Sequence, residues 1–368
     1  MNTFPQLAMA QFSDQYKDQG LQSMHATNPQ AFSQVELEQT IGHSFKDILQ
    51  DVNLGFAPDE GTTGLRQTLA QYHYEGCKKT DVITHAGAQE ALFCAFHAVL
   101  NKGDKVLAVA PIFEPLVQIP LNIGCEINYV HLDSDDNWSL DLDMVEKYFS
   151  LGCKLFIINF PHNPTGALIN NKELMSMVSL CAKYDVWLLS DEVFRGLEHS
   201  IRNRLPAVAD IYHKGISVGV ISKAFAIPGI RVGWLVCKNK ELKKRVVDIK
   251  GYLSICNSQV DEQLAAMILK KADKLLERNL KIIRKNKVLL QDFNYIYDIK
   301  INIIIPNSGC CIFAKVNGQV TSLSLIDRII NKNKYLLYPS TLFKTDVNAL
   351  RIGFGGRDFE RFMLALQP

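Results

Sequence analysis

The 368-residue sequence has no apolar run of membrane-spanning length and no basic-then-apolar leader, which sets aside a helical anchor and a secretory signal. It also lacks a dominant charge. Lys and Arg number 40 against 38 Asp and Glu, for a formal net charge of +2, and that balance argues against a nucleic-acid surface. The lysines concentrated over 270–288 have acidic neighbours and no interleaved aromatic rings, as on a solvated helix face. No metal-ligand pairs occur among the nine cysteines: Cys94, Cys181 and Cys237 lie in apolar segments, and Cys310-Cys311 is a neighbouring pair rather than C-x-x-C. Reduced thiols in a cytoplasmic protein are expected. Internal repeats and low-complexity tracts are absent, and no G-x-G-x-x-G follows the early strands, which disfavours a nicotinamide-binding protein.

What is present is length enough for a deep core and two domains. Residues 1–45 are glutamine-rich and weakly patterned; they read as an arm that packs on something else, with short helices at Phe12–Gln19 and Gln34–Thr40. Loop chemistry fills Asp51 to Gly64 and a helix follows from Leu65 to about Gly76. Strands then alternate with helices: Val82–Thr84, Val106–Ala110, Glu126–Val130, Leu155–Phe160, Val186–Ser190, Ile216–Ile221 and Arg231–Cys237, with helices at Gly87–Leu100 and Lys172–Tyr184. Continuous apolar strands separated by helices predict an α/β fold, a mostly parallel sheet sandwiched by helices. After Cys237 the texture changes. One long helix from Ser258 to about Phe293, strands at Lys300–Ile305, Cys311–Val316 and Ala349–Phe354, and helices at Ser322–Asn331 and from Asp358 predict a smaller α+β C-terminal domain. The expected division is 1–45 arm, 46–245 large domain, 246–368 small domain.

Sheets of this kind bind ligands beyond the carboxyl ends of their strands, where Phe113, Asn163, Asp191 and Lys223 all fall. The small and apolar neighbours of Lys223 in Ser222-Lys223-Ala224-Phe225 bury its stem. Burial lowers an ammonium pKa, and a neutral lysine amine forms Schiff bases with carbonyls. Eight positions on, Arg231 offers a fixed fork of donors suited to phosphate. Gly87-Ala88-Gln89 opens a helix whose free N–H groups and dipole also suit phosphate. Each feature alone has a plain alternative: a loop lysine, a glycine before a helix, an aspartate N-cap, a core phenylalanine at 113, a solvated arginine at 351.

Four motifs in order, Asn163-Pro164-Thr165-Gly166, Asp191-Glu192, Ser222-Lys223 and Gly229-Ile230-Arg231-Val232-Gly233-Trp234, resemble the class I/II aminotransferases of the fold-type I pyridoxal-phosphate enzymes. The resemblance runs from about Asp51 to Gly355. It implies pyridoxal 5'-phosphate as cofactor, making the large domain its binding domain, and an aminotransferase moving an α-amino group between an amino acid and a 2-oxo acid. Lys223 would hold the cofactor as a Schiff base and shuttle the substrate proton. Asp191 would pair with the pyridine nitrogen, Asn163 with the phenolic oxygen, and Phe113 would stack on the ring. Gly87, Ala88, Gln89, Ser222 and Arg231 would form the phosphate cup, and Arg351 would clamp the substrate carboxylate. A homodimer is implied.

Three positions depart from the family pattern: Phe194 replaces a tyrosine three residues after the aspartate, Val220 a serine or threonine, and Phe56 aligns loosely with a partner-subunit tyrosine. Each lost hydrogen bond to a charged group is worth roughly 1.5–3 kcal/mol, so cofactor affinity should fall unless other groups compensate. Phe194 and Asn159-Phe160-Pro161-His162-Asn163-Pro164-Thr165-Gly166 also resemble the capreomycidine-synthase-like branch, so a lyase, cyclase or oxidase acting on an amino acid is the alternative. An effector-binding module of a regulator fits less well, because the 45-residue arm is short and not basic. The substrate side chain is not legible: the residues that select it are expected in the N-terminal arm and loops such as Ala26–Phe32, which show no clear charge or pocket.

Overall fold

The computed structural model describes residues 4–367. Its centre is a seven-stranded sheet of β1 (Val82–His85), β2 (Lys105–Ala110), β3 (Glu126–His131), β4 (Cys153–Ile158), β5 (Trp187–Asp191), β6 (Gly215–Val220) and β7 (Gly233–Val236), in the order β1-β7-β6-β5-β4-β2-β3. From β6 to β3 every pairing is parallel, while β7 runs antiparallel to both neighbours. The apolar strands alternate between two cores. Val106 and Ala108 face one with Leu155, Ile157 and Ile216, whereas Leu107 and Val109 face the other with Phe156 and Ile158. Each such side chain, fully buried, contributes about 1.5–3 kcal/mol, which explains why no central strand shows a polar face.

Helices cover both faces: α1 (Thr63–Tyr72), α2 (Ala88–Val99), α3 (Pro115–Ile123), α4 (Leu142–Ser150), α5 (Asn171–Lys183), α6 (Lys240–Lys250), α7 (Gln259–Leu269) and α8 (Ala272–Leu289). Local signals set several starts. The Thr62 hydroxyl caps α1, Asn170 and Glu173 form a reciprocal capping box on α5, and Pro115 opens α3, each satisfying or sparing an orphan amide. Three of these helices, α3, α4 and α6, fill connections to which the sequence reading assigned no helix.

The single helix expected over Ser258–Phe293 is two helices, broken at Lys270-Lys271 and followed by a 3-10 turn at Leu290–Asp292. Packing sets the break. α7 lies on α1, where its Glu262 accepts from Thr62 N and bonds the Thr84 hydroxyl. α8 instead serves the other elements: Asn279 Nδ2 donates to Ala224 O at 2.8 Å, and Asn286 Nδ2 to Phe354 O at 2.8 Å. Further on, the strand expected at Lys300–Ile305 ends at Asn302, and the one expected from Arg231 begins at Gly233.

A second sheet has β8 (Tyr295–Ile296), β9 (Ile299–Asn302), β10 (Cys311–Val316), β11 (Tyr338–Pro339) and β12 (Ala349–Gly353), all antiparallel, in the order β11-β12-β10-β9-β8. Helix α9 (Ser322–Asn333) and a last helix, α10 (Phe359–Leu366), accompany it. The N-terminal stretch packs on this sheet. Its helices are Ala8–Asp14 and Gln34–Ile41, with a 3-10 turn at Lys17–Gln19 in place of the expected Phe12–Gln19 helix. Gln22–Ser23 pair with Tyr335–Leu336, Gly353 N donates to Met24 O at 2.7 Å, and Gln30 N to Gly355 O at 2.8 Å. Gly353 is required here because a Cβ would collide with Ala26 O.

Gly233, the first residue of β7, lies against the start of α2. A Cβ there would stand 2.5 Å from Ala88 N and closer to the Gly87 carbonyl carbon. Gly233→Ala should therefore cost about 1–3 kcal/mol from overpacking and displace the α2 N-terminus. Thermal melting and pyridoxal-phosphate titration check this: both the melting temperature and the affinity should fall together.

Candidate active site

Four loops leave the carboxyl edge of the sheet and converge. Gly87 caps α2 at φ 87°, a conformation that costs glycine nothing. Ala88 is half-buried and Gln89 exposed, and the first amides of a helix have no acceptor within it. Over this turn lies the Arg231 guanidinium, 2.5 Å from where a Gly87 Cβ would be. It donates to Ser222 Oγ at 3.2 Å and to Pro228 O at 3.0 Å. These partners are neutral, so the exposed guanidinium faces the helix start with its charge uncompensated by either. The predicted cup residues Gly87, Ala88, Ser222 and Arg231 are thus together.

Asp191 ends β5 and is buried. Its carboxylate accepts from Val193 N at 3.2 Å, and Asn159 Nδ2 holds its backbone oxygen at 2.7 Å. Burial pushes Asp191 up to about 7, against the opposing pull of the Val193 amide and Lys223. Lys223 follows β6, and burial, then the Arg351 charge, bring its amine below the ordinary lysine value, with Cys310, Cys311 and Asp191 opposing. Its Nζ donates to Thr27 Oγ1 at 2.8 Å.

Arg351 stands on β12 and is buried. It donates to Asn163 Oδ1 at 3.1 Å and lies 5.0 Å from the ring centres of Tyr338 and Phe343, while its Nε has no partner among the described residues. Asn163 is fixed in turn by its own amide, which donates to Asn159 Oδ1 at 2.9 Å. A buried guanidinium held by a neutral amide and two rings, with a free N–H, is a receptor for a carboxylate. Lys223, Asp191, Asn163 and Arg351 therefore form one constellation.

Phe113 sits half-buried between β2 and α3, touching both cores, and Ile112 N donates to Phe343 O at 2.9 Å. The three departures from the family pattern lie apart. Phe194 is buried, Val220 closes β6 inside the core, and Phe56 is 87 % exposed. None of the three side chains carries a hydroxyl.

Sequence reasoning looked to the N-terminal arm and Ala26–Phe32 for the substrate-selecting groups but singled out neither His25 nor Thr27 in this wall. The His25 ring stacks on Tyr338 at 3.8 Å, 8° from parallel, and burial, Arg351 and Lys223 hold its pKa down at about 3. Met24 to Asn28 has no period to betray it; the one signal available was Asn28-Pro29, since a residue before proline is biased to extended backbone.

Residues 35–361 match the family model described as aminotransferase class I and II. Capreomycidine synthase of Streptomyces vinaceus is 28 % identical over 90 % of this chain and 81 % of its own. An aspartate aminotransferase of Sulfurisphaera tokodaii is 26 % identical over 89 % and 82 %. Among solved structures, a PLP-dependent aminotransferase from Streptococcus suis superposes with a TM-score of 0.90 at 23 % identity, covering 99 % of this chain and 98 % of that one.

A pH dependence follows from Asp191. Its folded pKa of about 7 lies above the ordinary 3.8, so between these values the folded protein binds a proton that the unfolded chain does not. Stability should then fall as pH rises from about 4 to 7, with the penalty, a few kcal/mol at most, fully present above 7. In cofactor-free protein, Asp191→Asn should melt progressively higher than wild type as pH rises from 4.5 to 8. A difference constant with pH would count against the raised value.

Proposed function

The chain belongs to the aminotransferase class I and II family, whose cofactor is pyridoxal 5'-phosphate, and from that premise we propose that it moves an α-amino group between an amino acid and a 2-oxo acid. The residues suit the cofactor. The glycine cradle at 87, roofed by Arg231 and flanked by Ser222, matches a phosphate, and the buried Asp191 matches a protonated ring nitrogen. When bound, the group supplies an aldehyde and an electron sink for the bonds at a substrate Cα.

One observation carries the reading: a lysine amine with lowered pKa within the field of both a buried aspartate and a buried arginine that has no carboxylate partner among the described residues. In it, Arg351 takes the substrate carboxylate and orients Cα. Lys223 would hold the cofactor and would be the base that takes the Cα proton, a role worth about 10²–10⁴-fold. Asp191 keeps the ring nitrogen protonated. Asn163 aligns Arg351 and would pair with the phenolic oxygen, Phe113 would stack on the ring, and Ala88 and Gln89 would offer amides to the phosphate. A second reading, a lyase or cyclase acting on an amino acid, keeps all these roles but needs no 2-oxo acid. Phe194, without a hydroxyl, and the similarity to capreomycidine synthase favour it.

The assembly we propose is a homodimer. Leu54 (83 % exposed), Phe56 and Tyr252 (92 %) are uncovered with Leu253 and Ile255, and Gln259 Nε2 ties their two loops by donating to Gly55 O at 3.0 Å. Such an apolar surface fits a second copy of the chain. A cytoplasmic setting suits the nine cysteines, none of them in a disulfide.

Borohydride reduction of the loaded protein should fix a pyridoxyl group on the peptide carrying Lys223 and on no other lysine. Arg351→Ala should raise KM for amino acids at least tenfold while cofactor content holds; loss of cofactor instead would remove Arg351 from the substrate site. Product analysis separates the two reactions, since the proposed transferase consumes one 2-oxo acid per amino acid and the alternative consumes none. Light scattering at micromolar concentration should give the dimer mass, and an active monomer would rule the assembly out.

A further inference from the structure

We propose that Thr27, brought from the N-terminal stretch, is a positioning residue that holds the Lys223 amine whenever that amine is not bonded to the cofactor; the inference rests on the reading of Lys223 given above. Three observations carry it. Lys223 Nζ donates to Thr27 Oγ1 at 2.8 Å. Thr27 is itself buried, 5 % exposed. Its backbone is held as well: Gly353 leaves the room that the Ala26 carbonyl takes and a Cβ would block, Gly353 N bonds Met24 O, and Gln30 N bonds Gly355 O. A hydroxyl on a segment anchored at both ends against β12 is a fixed point, whereas the lysine stem has four rotatable bonds.

The geometry has a chemical use. When a substrate amine takes over the bond to the cofactor, the Lys223 nitrogen leaves with its electron pair and must remain beside Cα to accept a proton. A threonine hydroxyl suits this because it accepts from an ammonium and can donate to an amine lone pair, so it holds both protonation states. The other groups around the amine are less suited. Arg351 opposes its charge, the His25 ring is held neutral by burial, Asp191 has the ring nitrogen to serve, and the Cys310 and Cys311 thiols are held protonated by burial. With Phe194 and Phe56 lacking a hydroxyl, Thr27 supplies one from another part of the chain.

Thr27→Val keeps the side-chain shape and deletes the hydroxyl, whereas Thr27→Ser keeps the hydroxyl and deletes the methyl. In cofactor-free protein, acetylation of the Lys223 peptide by acetic anhydride can be followed by mass spectrometry as a function of pH. The midpoint should move to lower pH in Thr27→Val, which has lost an acceptor for the ammonium, and stay at the wild-type value in Thr27→Ser. In loaded protein, exchange of the amino-acid Cα hydrogen for solvent deuterium should slow about tenfold in Thr27→Val, the worth of one ordinary hydrogen bond, with KM unchanged, and recover in Thr27→Ser. An unmoved midpoint, a loss shared by both variants, or an effect on KM alone would overturn the proposal. Borohydride labelling of the same variants separates the two readings: label off Lys223 defeats the cofactor reading, while label on Lys223 with an unmoved midpoint defeats Thr27 alone.

Discussion

Lys223 and Arg351 are two like charges held inside the protein within each other's field, and the carboxylate whose field reaches the lysine is Asp191. Removing a cation from water without a partner costs several kcal/mol, so the surroundings have to make that arrangement tolerable. For Arg351 the means are the Asn163 oxygen and the faces of Tyr338 and Phe343, since a desolvated cation over a ring gains up to about 2 kcal/mol. For Lys223 they are the Thr27 hydroxyl and a pKa lowered toward the neutral amine. The remaining imbalance is one that an incoming carboxylate would relieve.

Much of this was legible from residues alone, for a physical reason. Asp191 and Lys223 are polar groups that close or follow apolar strands in a sheet buried on both faces, and such residues have few places to go except the ligand edge. Arg351, a charge between Leu350 and Ile352 in a strand that is buried throughout, was singled out by the family resemblance and not by its neighbours. What stayed hidden depends on contacts distant in sequence. The stripe of Leu264, Ile268, Leu276 and Leu280 crosses Lys270-Lys271 without glycine or proline, so the helix break is imposed by docking on α1, not by propensity. α3 carries Pro120 within it, a residue that disfavours a helix interior, and forms because its apolar face is buried. His25 and Thr27 sit in a weakly patterned stretch whose conformation is dictated by β12.

That last contact joins the two ends of the molecule. The wall that carries Thr27 is hydrogen-bonded to Gly353 and Gly355, almost the whole length of the chain away. A nascent polypeptide emerging from the ribosome can therefore form the large sheet and place Asp191 and Lys223 well before synthesis ends, yet the lysine gains its hydroxyl neighbour only after the final strand has appeared and captured the waiting N-terminal segment. Contacts of such long sequence separation carry a large loop-closure cost and slow folding. Chains truncated before β12 would carry Lys223 without a docked Thr27 segment and without Arg351.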